Sequence, residues 1–315
     1  MLASHRNLRR LGVTLAGVLL LHSPASAQEK PLTAREVVAR IQEHVGIPWR
    51  SETVDTFKAG DPDQPVTGVA VTMMATLDVL QRAAAVGDTL VITHEPVFYG
   101  HLDDLAGVAQ GEKDPVVAAK RAFIAEHGLR VFRFHDHWHA RTPDGILAGM
   151  MQSLQWQKFQ DPKNPYLFVL PETTVEGLAA QIKSRLGIAH ALRVVGDPGM
   201  KLTRVAFAPG SPGFGRESAA LALPEVEVLV VGETREWESV EYAADAVSEG
   251  KRKALIVLGH VPSEQAGMEE CARWLRTFLG GLRVDFLPTR DPFVPPTPRA
   301  PSAGSATPSP RSTSQ

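Results

Sequence analysis

The chain has 315 residues, 43% of them hydrophobic and 22% charged, with a formal net charge of −2. It shows no basic patch of the kind that nucleic-acid binding requires, so nucleic acid is not an expected partner. Its single cysteine, Cys271, excludes an internal disulfide, so stability must come from an ordinary hydrophobic core.

The first 27 residues have the layout of a secretory signal peptide. Arg6, Arg9 and Arg10 form a positive head, Leu11 to Leu21 is mainly apolar, and Ala25-Ser26-Ala27 is a small-x-small cleavage signal. The apolar run is too short to span a bilayer, although it could form a buried or interfacial helix. We predict export to the periplasm or the cell exterior. Cleavage removes three arginines and no acids, leaving 30 basic and 35 acidic residues, a formal charge of −5. The mature protein is expected to have no membrane span.

The other end, residues 289–315, is rich in proline, serine and threonine. It has almost no aliphatic residues to bury, and we expect it to be a disordered tail. A glycosylated or wall-associated stalk and a plain solvated tail are both compatible with this composition.

Between these ends, predicted strands and helices alternate along residues 28–288. The predicted strands are 66–72, 90–93, 129–134, 166–170, 193–195, 204–208, 226–231 and 254–258. The predicted helices are 33–42, 77–85, 115–126, 145–153, 174–186, 240–248 and 264–279. Such alternation is typical of α/β proteins with mainly parallel strands. We predict an α/β domain of two lobes, roughly 33–155 and 165–288.

Three of the predicted strands run directly into histidines. The junctions are His94-Glu95-Pro96, the run from His135 to His139, and Gly259-His260 with Glu264 four residues later. Ligands of α/β sheets bind outside the carboxyl ends of the strands, so these side chains should line one crevice. One histidine after a strand is usually a hydrogen-bonded turn residue. The coincidence of three such junctions favours a metal site.

Imidazole and carboxylate together suit zinc, iron, manganese or nickel better than calcium or magnesium. The alternating histidines from His135 to His139 would share one side if extended, although such a run can also be a polar surface. Glu264 lies one turn before Met268 on the apolar stripe of its helix and should point inward. It could be a capping charge, but His260 four residues earlier favours a metal ligand. Cys271, on the same stripe, is expected to be a core residue.

These junctions resemble the NIF-three-like (NGG-one-interacting-factor-like) family of dinuclear-metal-centre hexameric proteins, also called GTP cyclohydrolase I type 2. The family pattern has one strand ending in His-His-Pro, another ending in His-Thr-x-x-Asp, and a Gly-His-x-x-x-Glu near the C-terminus. His94 and Pro96 match the first motif, His135 matches the second, and His260 and Glu264 match the third.

Two positions depart from the family pattern. Glu95 stands at the second histidine, and His139 stands at the bridging aspartate. Both can bind metal, but an imidazole nitrogen has one lone pair and cannot bridge two ions as a carboxylate can. Bridging would then fall to Glu264, to Glu95 or to a hydroxide. Pro209-Gly210-Ser211 and Gly232-Glu233-Thr234 also look like a glycine loop and a turn of the family.

The resemblance implies two divalent transition-metal ions, a homo-oligomer in the form of a hexameric ring, and a hydrolytic kind of site. The implied metal ligands are His94, Glu95, His139, His260 and Glu264. Residues that could move protons or orient a small-molecule substrate are His135, His137 and Glu233. We therefore predict an exported metal-dependent hydrolase, for which GTP is an unexpected substrate because exported proteins rarely meet it. The alternatives are a non-catalytic metal-binding scaffold that forms a ring, and an α/β domain with incidental histidine clusters.

Overall fold

The structure is a computed structural model that describes residues 31–293. The predicted signal peptide and the tail from residue 294 onward lie outside the described residues. The strands are β1 (Phe57–Ala59), β2 (Val69–Thr72), β3 (Leu90–Thr93), β4 (Arg130–Arg133), β5 (Leu167–Thr174), β6 (Arg193–Val195), β7 (Lys201–Ala208), β8 (Val228–Val231), β9 (Ala254–Val257) and β10 (Val284–Phe286). The α-helices are α1 (Ala34–His44), α2 (Leu77–Val86), α3 (Pro115–Glu126), α4 (Asp136–Ala140), α5 (Gly145–Leu154), α6 (Val175–Leu186), α7 (Phe214–Ala222), α8 (Glu241–Ser248) and α9 (His260–Arg276).

The strands of this region form two five-stranded sheets, in the orders β1-β4-β3-β2-β10 and β5-β7-β8-β9-β6. In the first sheet, the four strands from β4 to β10 are parallel and only β1 is antiparallel. In the second sheet, β7, β8 and β9 are parallel, and both edge strands are antiparallel. The α/β class predicted from the sequence, with mainly parallel strands, is confirmed.

Each sheet is covered by side chains on both faces. The largest core joins residues of both sheets with residues of α5 and α9. A second core packs α2 and α3 on the first sheet, and a third packs α7 and α8 on the second. This explains why β2, β3, β8 and β9 are buried at every position and show no alternation of apolar and polar residues, with threonine only at the ends of β2 and β3.

Two glycines allow α5 and α9 to pack at unusually close range. A Cβ atom at Gly149 would lie 2.2 Å from the Ala266 carbonyl oxygen, and one at Gly267 would lie 2.4 Å from Ile146 Cα. No larger residue fits at either position without moving backbone. This contact fixes the position of α9, whose first residues carry His260 and Glu264.

The last strand returns to the first sheet. Helix α9 leaves β9 in the second sheet, and β10 then pairs with β2 in the first. The segment 165–288, predicted as a second lobe, is therefore split between the two sheets. Contacts also continue past residue 288: Thr289 is buried, its Oγ1 accepts the Met74 N–H at 2.9 Å, and Asp291 lies 2.8 Å from His190.

Among residues 31–293, no helix has both the length and the apolar character needed to cross a membrane.

Candidate metal centre

The five predicted ligands converge at the carboxyl ends of β3 and β9 and the helices that follow β4 and β9. His260 Nε2 lies 3.2 Å from Glu95 Oε1 and 3.2 Å from Glu264 Oε2. His94 Nε2 lies 3.7 Å from Glu264 Oε2, and His139 Nε2 lies 3.8 Å from Glu264 Oε1. The Glu264 carboxylate is thus in the middle of the cluster, with its two oxygens facing different imidazoles.

His135 joins this cluster. Donor atoms of His94, His135 and His139 all lie within 4.8 Å of one another, as do those of His94, Glu95 and Glu264. The two groups share His94, which is fully buried at 0% exposure. Sequence reasoning gave His135 a role in proton transfer or substrate orientation, whereas the geometry places it among the candidate ligands. These buried groups could bind a metal ion.

All four imidazoles are oriented in the same way. In each ring Nδ1 contacts an oxygen acceptor of the protein, so Nε2 is left to point into the cluster. The pairs are His94 with Phe134 O at 3.3 Å, His135 with Asp136 at 2.9 Å, His139 with Asp144 at 3.0 Å and His260 with Glu233 at 3.0 Å. An oxygen acceptor on the second nitrogen is typical of metal-binding histidines, because it fixes the tautomer and the ring orientation.

Three buried atoms of the cluster have no hydrogen-bond partner: His94 Nε2, His260 Nε2 and Glu264 Oε2. With its Nδ1 donating to Phe134 O, the neutral His94 ring presents only a lone pair to Glu264 Oε2. Leaving such groups unsatisfied in the interior costs about 1–3 kcal/mol each. A cation among the three atoms would satisfy all of them, so the donor set fits a metal ion.

The charges favour a cation at the same place. Burial lowers the pKa of His94 far below its ordinary value, and the neighbouring His135 and His139 lower it further, so this ring is neutral and able to bind metal. Burial also disfavours charged His260, but Glu264 and Glu95 outweigh it and raise the pKa of His260 to about 11. In the absence of metal, the two carboxylates therefore hold a proton on this imidazole, where a metal ion would compete with it.

His137 lies outside the cluster. Residues 136–140 form a short helix, in which side chains four apart share a face. His135 and His139 therefore face the centre, and His137 does not. Its ring stacks on Trp49 with centroids 3.7 Å apart, Nδ1 lies 2.6 Å from Asp55, and Nε2 accepts the Arg50 N–H at 2.9 Å. Both ring nitrogens of His137 contact groups of the protein, so nothing in the structure supports the predicted role in proton transfer or substrate orientation. The histidine run is helical, not extended.

Two charged residues that sequence reasoning missed hold the candidate ligands in place. Asp55 is buried and accepts the backbone N–H groups of residues 135, 136 and 137 at 2.6–2.9 Å, which anchors the first turn of α4. Arg133 is fully buried; its Nε donates to His94 O at 3.1 Å, and its other nitrogens reach Glu95 and His101 O. Arg133 could have been noticed as a charge that directly follows the apolar residues Val131 and Phe132, whereas the loop around Asp55 gives no signal.

The predicted glycine loop packs directly against Glu264. Gly210 has a φ of +69°, and a Cβ atom there would lie 2.3 Å from Glu264 Oε1. Its N–H donates to Ser263 Oγ at 2.9 Å, and its carbonyl accepts the Glu233 N–H at 2.7 Å. The loop therefore positions both the start of α9 and the turn whose Glu233 orients His260.

The cluster forms part of the wall of an open cavity of about 1420 Å³. Other residues that line it are Arg50, Tyr99, His101, Asn164, Tyr166 and Arg216. The His101 ring lies 6.2 Å from that of His135, centroid to centroid. No hydrogen bond to the His101 ring nitrogens is found within the part of the chain that the structure describes, so His101 differs from the four imidazoles of the cluster.

The fold and the site define a class: an α/β protein with two mainly parallel sheets and a buried His/Glu cluster beyond the strand ends. The chain belongs to the Duf34/NIF3 (NGG1p interacting factor 3) family, whose pattern matches residues 32–292. The family resemblance seen in the sequence is thereby confirmed.

Comparisons with individual proteins agree with this assignment. A protein of Chlamydia pneumoniae named GTP cyclohydrolase 1 type 2 homolog is 22% identical over 246 residues, covering 75% of this chain and 90% of the relative. The crystal structure of a Bacillus cereus protein related to NIF3 has a TM-score of 0.65 at 13% identity, over 84% of this chain and 99% of that one. The Staphylococcus aureus hypothetical protein SA1388 has a TM-score of 0.62 at 20% identity, with the same coverage. At these identities the structural likeness concerns the fold alone.

Proposed function

We propose that the protein is an exported, metal-dependent hydrolase that uses two divalent transition-metal ions. The observation that carries the proposal is a set of three buried atoms without a hydrogen-bond partner, His94 Nε2, His260 Nε2 and Glu264 Oε2, at the wall of a large open cavity. Export rests on the first 27 residues, and a ring-shaped homo-oligomer rests on the family resemblance. The name of the Chlamydia relative does not identify the substrate.

The residues that would hold the ions are His94, Glu95, His135, His139, His260 and Glu264. When bound, such ions lower the pKa of water and polarise the bond under attack. Glu264 is the best placed to bridge, since Oε2 faces His94 and His260 while Oε1 faces His139. This assignment would relieve His139 of the bridging role that an imidazole cannot perform.

Proton transfer would fall to a residue whose imidazole is not already held. The rings of the cluster are fixed through Nδ1, and His137 is fixed through both nitrogens. His101 lines the cavity beside His135 and has no fixed partner on its ring among the described residues. An imidazole in such a position could accept a proton from the attacking water or donate one to the leaving group.

The experiment begins with metal content. Protein recovered from its native compartment without chelator should contain between one and two transition-metal ions per chain by mass spectrometry. His260→Ala and Glu264→Ala should each lower the metal content while circular dichroism stays unchanged. His127→Ala is the matched control, because it removes an exposed histidine whose ring stacks on Phe123. Less than about a tenth of an equivalent in the wild type would overturn the proposal.

Turnover distinguishes the hydrolase from a scaffold. Metal-loaded and metal-stripped protein should be tested against a panel of ester, amide and phosphoester substrates. Hydrolysis by the loaded protein alone is expected. Full metal content without turnover of any substrate in the panel would instead support the non-catalytic metal-binding scaffold.

A further inference from the structure

The cavity has a polar side and an apolar side. The polar side contains the candidate centre and the residues next to it from the first sheet. On the side of the second sheet, small apolar residues form part of the wall: Leu167, Ala206, Ala208, Ala219, Ala220 and Leu223. We call this part of the cavity the apolar groove. None of its residues has a role in the proposed metal chemistry.

Strand register forms the floor of the apolar groove. Leu167 on β5 pairs with Ala206 on β7, and Ala206 pairs with Leu229 on β8, so these three side chains share one face of the second sheet. Ala208, two residues further along β7, lies on the same face and nearer to the carboxyl end of the strand. All four residues line the cavity. The two alanines keep the floor low, because each carries only a methyl group where a larger side chain would fill the groove.

Helix α7 forms the wall of the apolar groove. Arg216, Ala219, Ala220 and Leu223 follow one another at i, i+3, i+4 and i+7, and all four line the cavity, so one face of this helix is turned toward it. The charge on this face, Arg216, lies in the first turn. From there to Leu223 the face is apolar over about 10 Å, at 1.5 Å per residue. The groove is therefore long as well as apolar.

The carboxyl end of β7 connects the groove to the candidate centre. Ala208 is the last residue of this strand, and Gly210 follows two positions later. A Cβ atom at Gly210 would lie 2.3 Å from Glu264 Oε1, so the floor of the groove ends beside a candidate ligand. Helix α7 begins four residues after Gly210 and leads back toward the start of β8. The groove thus starts at the centre and runs away from it.

A second connection to the centre comes from the start of β5. Tyr166 directly precedes Leu167, and its hydroxyl donates to Asp144 Oδ2 at 2.9 Å. The same carboxylate oxygen lies 3.0 Å from Nδ1 of His139, another candidate ligand. Two independent sets of contacts therefore place the apolar groove next to the candidate ligands.

We propose that the apolar groove binds an aliphatic chain of the substrate, so that the bond cleaved at the centre lies next to an apolar group. As an assignment of substrate class, this rests on the proposed hydrolase function. Leu167, Ala208 and Ala220 are only partly buried, and Ala219 is exposed, so apolar side chains border the cavity without a covering partner. Uncovered apolar surface in a concave site favours an apolar ligand. Ala206 in the floor is only 3% exposed, and so recessed a floor suits a slender chain better than a second protein.

The first test is the binding of octanol to metal-stripped protein, because this measurement does not depend on the centre. Wild type should bind octanol in calorimetry. Ala219→Leu should weaken this binding about tenfold or more, since the larger side chain occupies the groove. Ala222→Leu is the matched control: Ala222 is also an exposed alanine of α7 but does not line the cavity, and its substitution should change the dissociation constant less than about twofold. Both substitutions exchange good helix formers, and circular dichroism should stay unchanged.

The second test measures whether the groove adjoins the centre. Acetohydroxamate and octanohydroxamate carry the same metal-chelating group and differ only in the length of the apolar chain. In zinc-loaded protein octanohydroxamate should bind about a hundredfold more tightly, because each buried methylene is worth roughly a factor of four. Ala219→Leu should reduce this advantage to about tenfold or less, and Ala222→Leu should preserve it.

Three results would overturn the inference: no saturable binding of octanol, octanol binding that Ala219→Leu weakens no more than Ala222→Leu does, or equal affinity of the two hydroxamates in zinc-loaded protein. Metal content separates this inference from the proposed function. A protein that binds octanol in an Ala219-dependent way but retains no zinc would refute the metal-dependent hydrolase and leave the apolar groove in place.

Discussion

Gly210→Ala tests whether the glycine loop holds Glu264 in its position. Gly210 has a φ of +69°, and a Cβ atom would lie 2.3 Å from Glu264 Oε1, where ordinary contact begins at 3.4 Å. The carboxylate would therefore have to move by about 1 Å, whereas metal–ligand distances tolerate only about 0.2 Å. Gly187 is the matched control, because its φ is +64° and its added Cβ would meet nothing within 4 Å.

Both substitutions place an L-residue in the left-handed region, which costs about 1–2 kcal/mol. Gly187→Ala should lose only this amount from the free energy of unfolding and keep its metal affinity. Gly210→Ala should lose more, and its metal affinity should fall about 10–100-fold, the range seen when a supporting contact of a ligand is broken.

Denaturant unfolding in excess chelator measures the free energy of unfolding, and competition with a chelating dye measures the metal affinity. The reasoning is refuted if Gly210→Ala binds metal as tightly as wild type and has the same free energy of unfolding as Gly187→Ala. Glu264 would then not be a ligand held by this loop.

Four further predictions concern residues of the centre and its surroundings. His139→Asp should keep the metal-to-protein ratio and His139→Ala should lose at least one ion; undiminished metal in both would remove His139 from the site. Asp55→Asn should lower the free energy of unfolding by about 1–3 kcal/mol and weaken metal binding, because an amide NH₂ would face donors of α4; a thermal melt and the dye assay measure this. Burial lowers the pKa of Lys120 from 10.5 to about 8, so its charged form costs stability below pH 8, and the cost disappears as the pH rises to 10.5. Relative to Lys120→Met, wild type should therefore gain roughly 1–3 kcal/mol over this interval in denaturant titrations, and parallel curves would contradict the shift. Thr289→Val should cost about 1–2 kcal/mol, since the buried Met74 N–H loses its acceptor; an unchanged melting temperature would show that the contact is dispensable.

The sequence located those elements that have clear boundaries. The strand at 90–93 lies between Gly87-Asp88 and Pro96, and the helix at 115–126 begins with proline, and both were predicted with their observed bounds. The elements it missed give weak local signals. β1 and β10 have three residues each, and α7 begins at Gly213 without a side-chain cap. α4 has five residues, too few for a helical period, which is why the histidine run was considered extended.

The residues of the candidate site also fall into those that local motifs reveal and those that they do not. Histidines that directly follow strands could be grouped from local motifs, because parallel topology brings strand ends together. The residues that orient these histidines could not be grouped in this way, because their contacts join distant parts of the chain. Asp55 and His135 are 80 positions apart, and Arg133 and Glu95 are 38 apart. No local pattern marks one acid among many as the anchor of a helix far along the chain.

The return of β10 to the first sheet has a consequence for the order of folding. During synthesis β2 emerges early, yet its partner on that side is among the last described residues to appear. Until then the edge of β2 is open, and open edges invite pairing with other chains. The segment that closes it follows α9, which carries His260 and Glu264. A chain that ends between residues 277 and 283 therefore contains every candidate ligand but lacks the strand that covers the edge of β2.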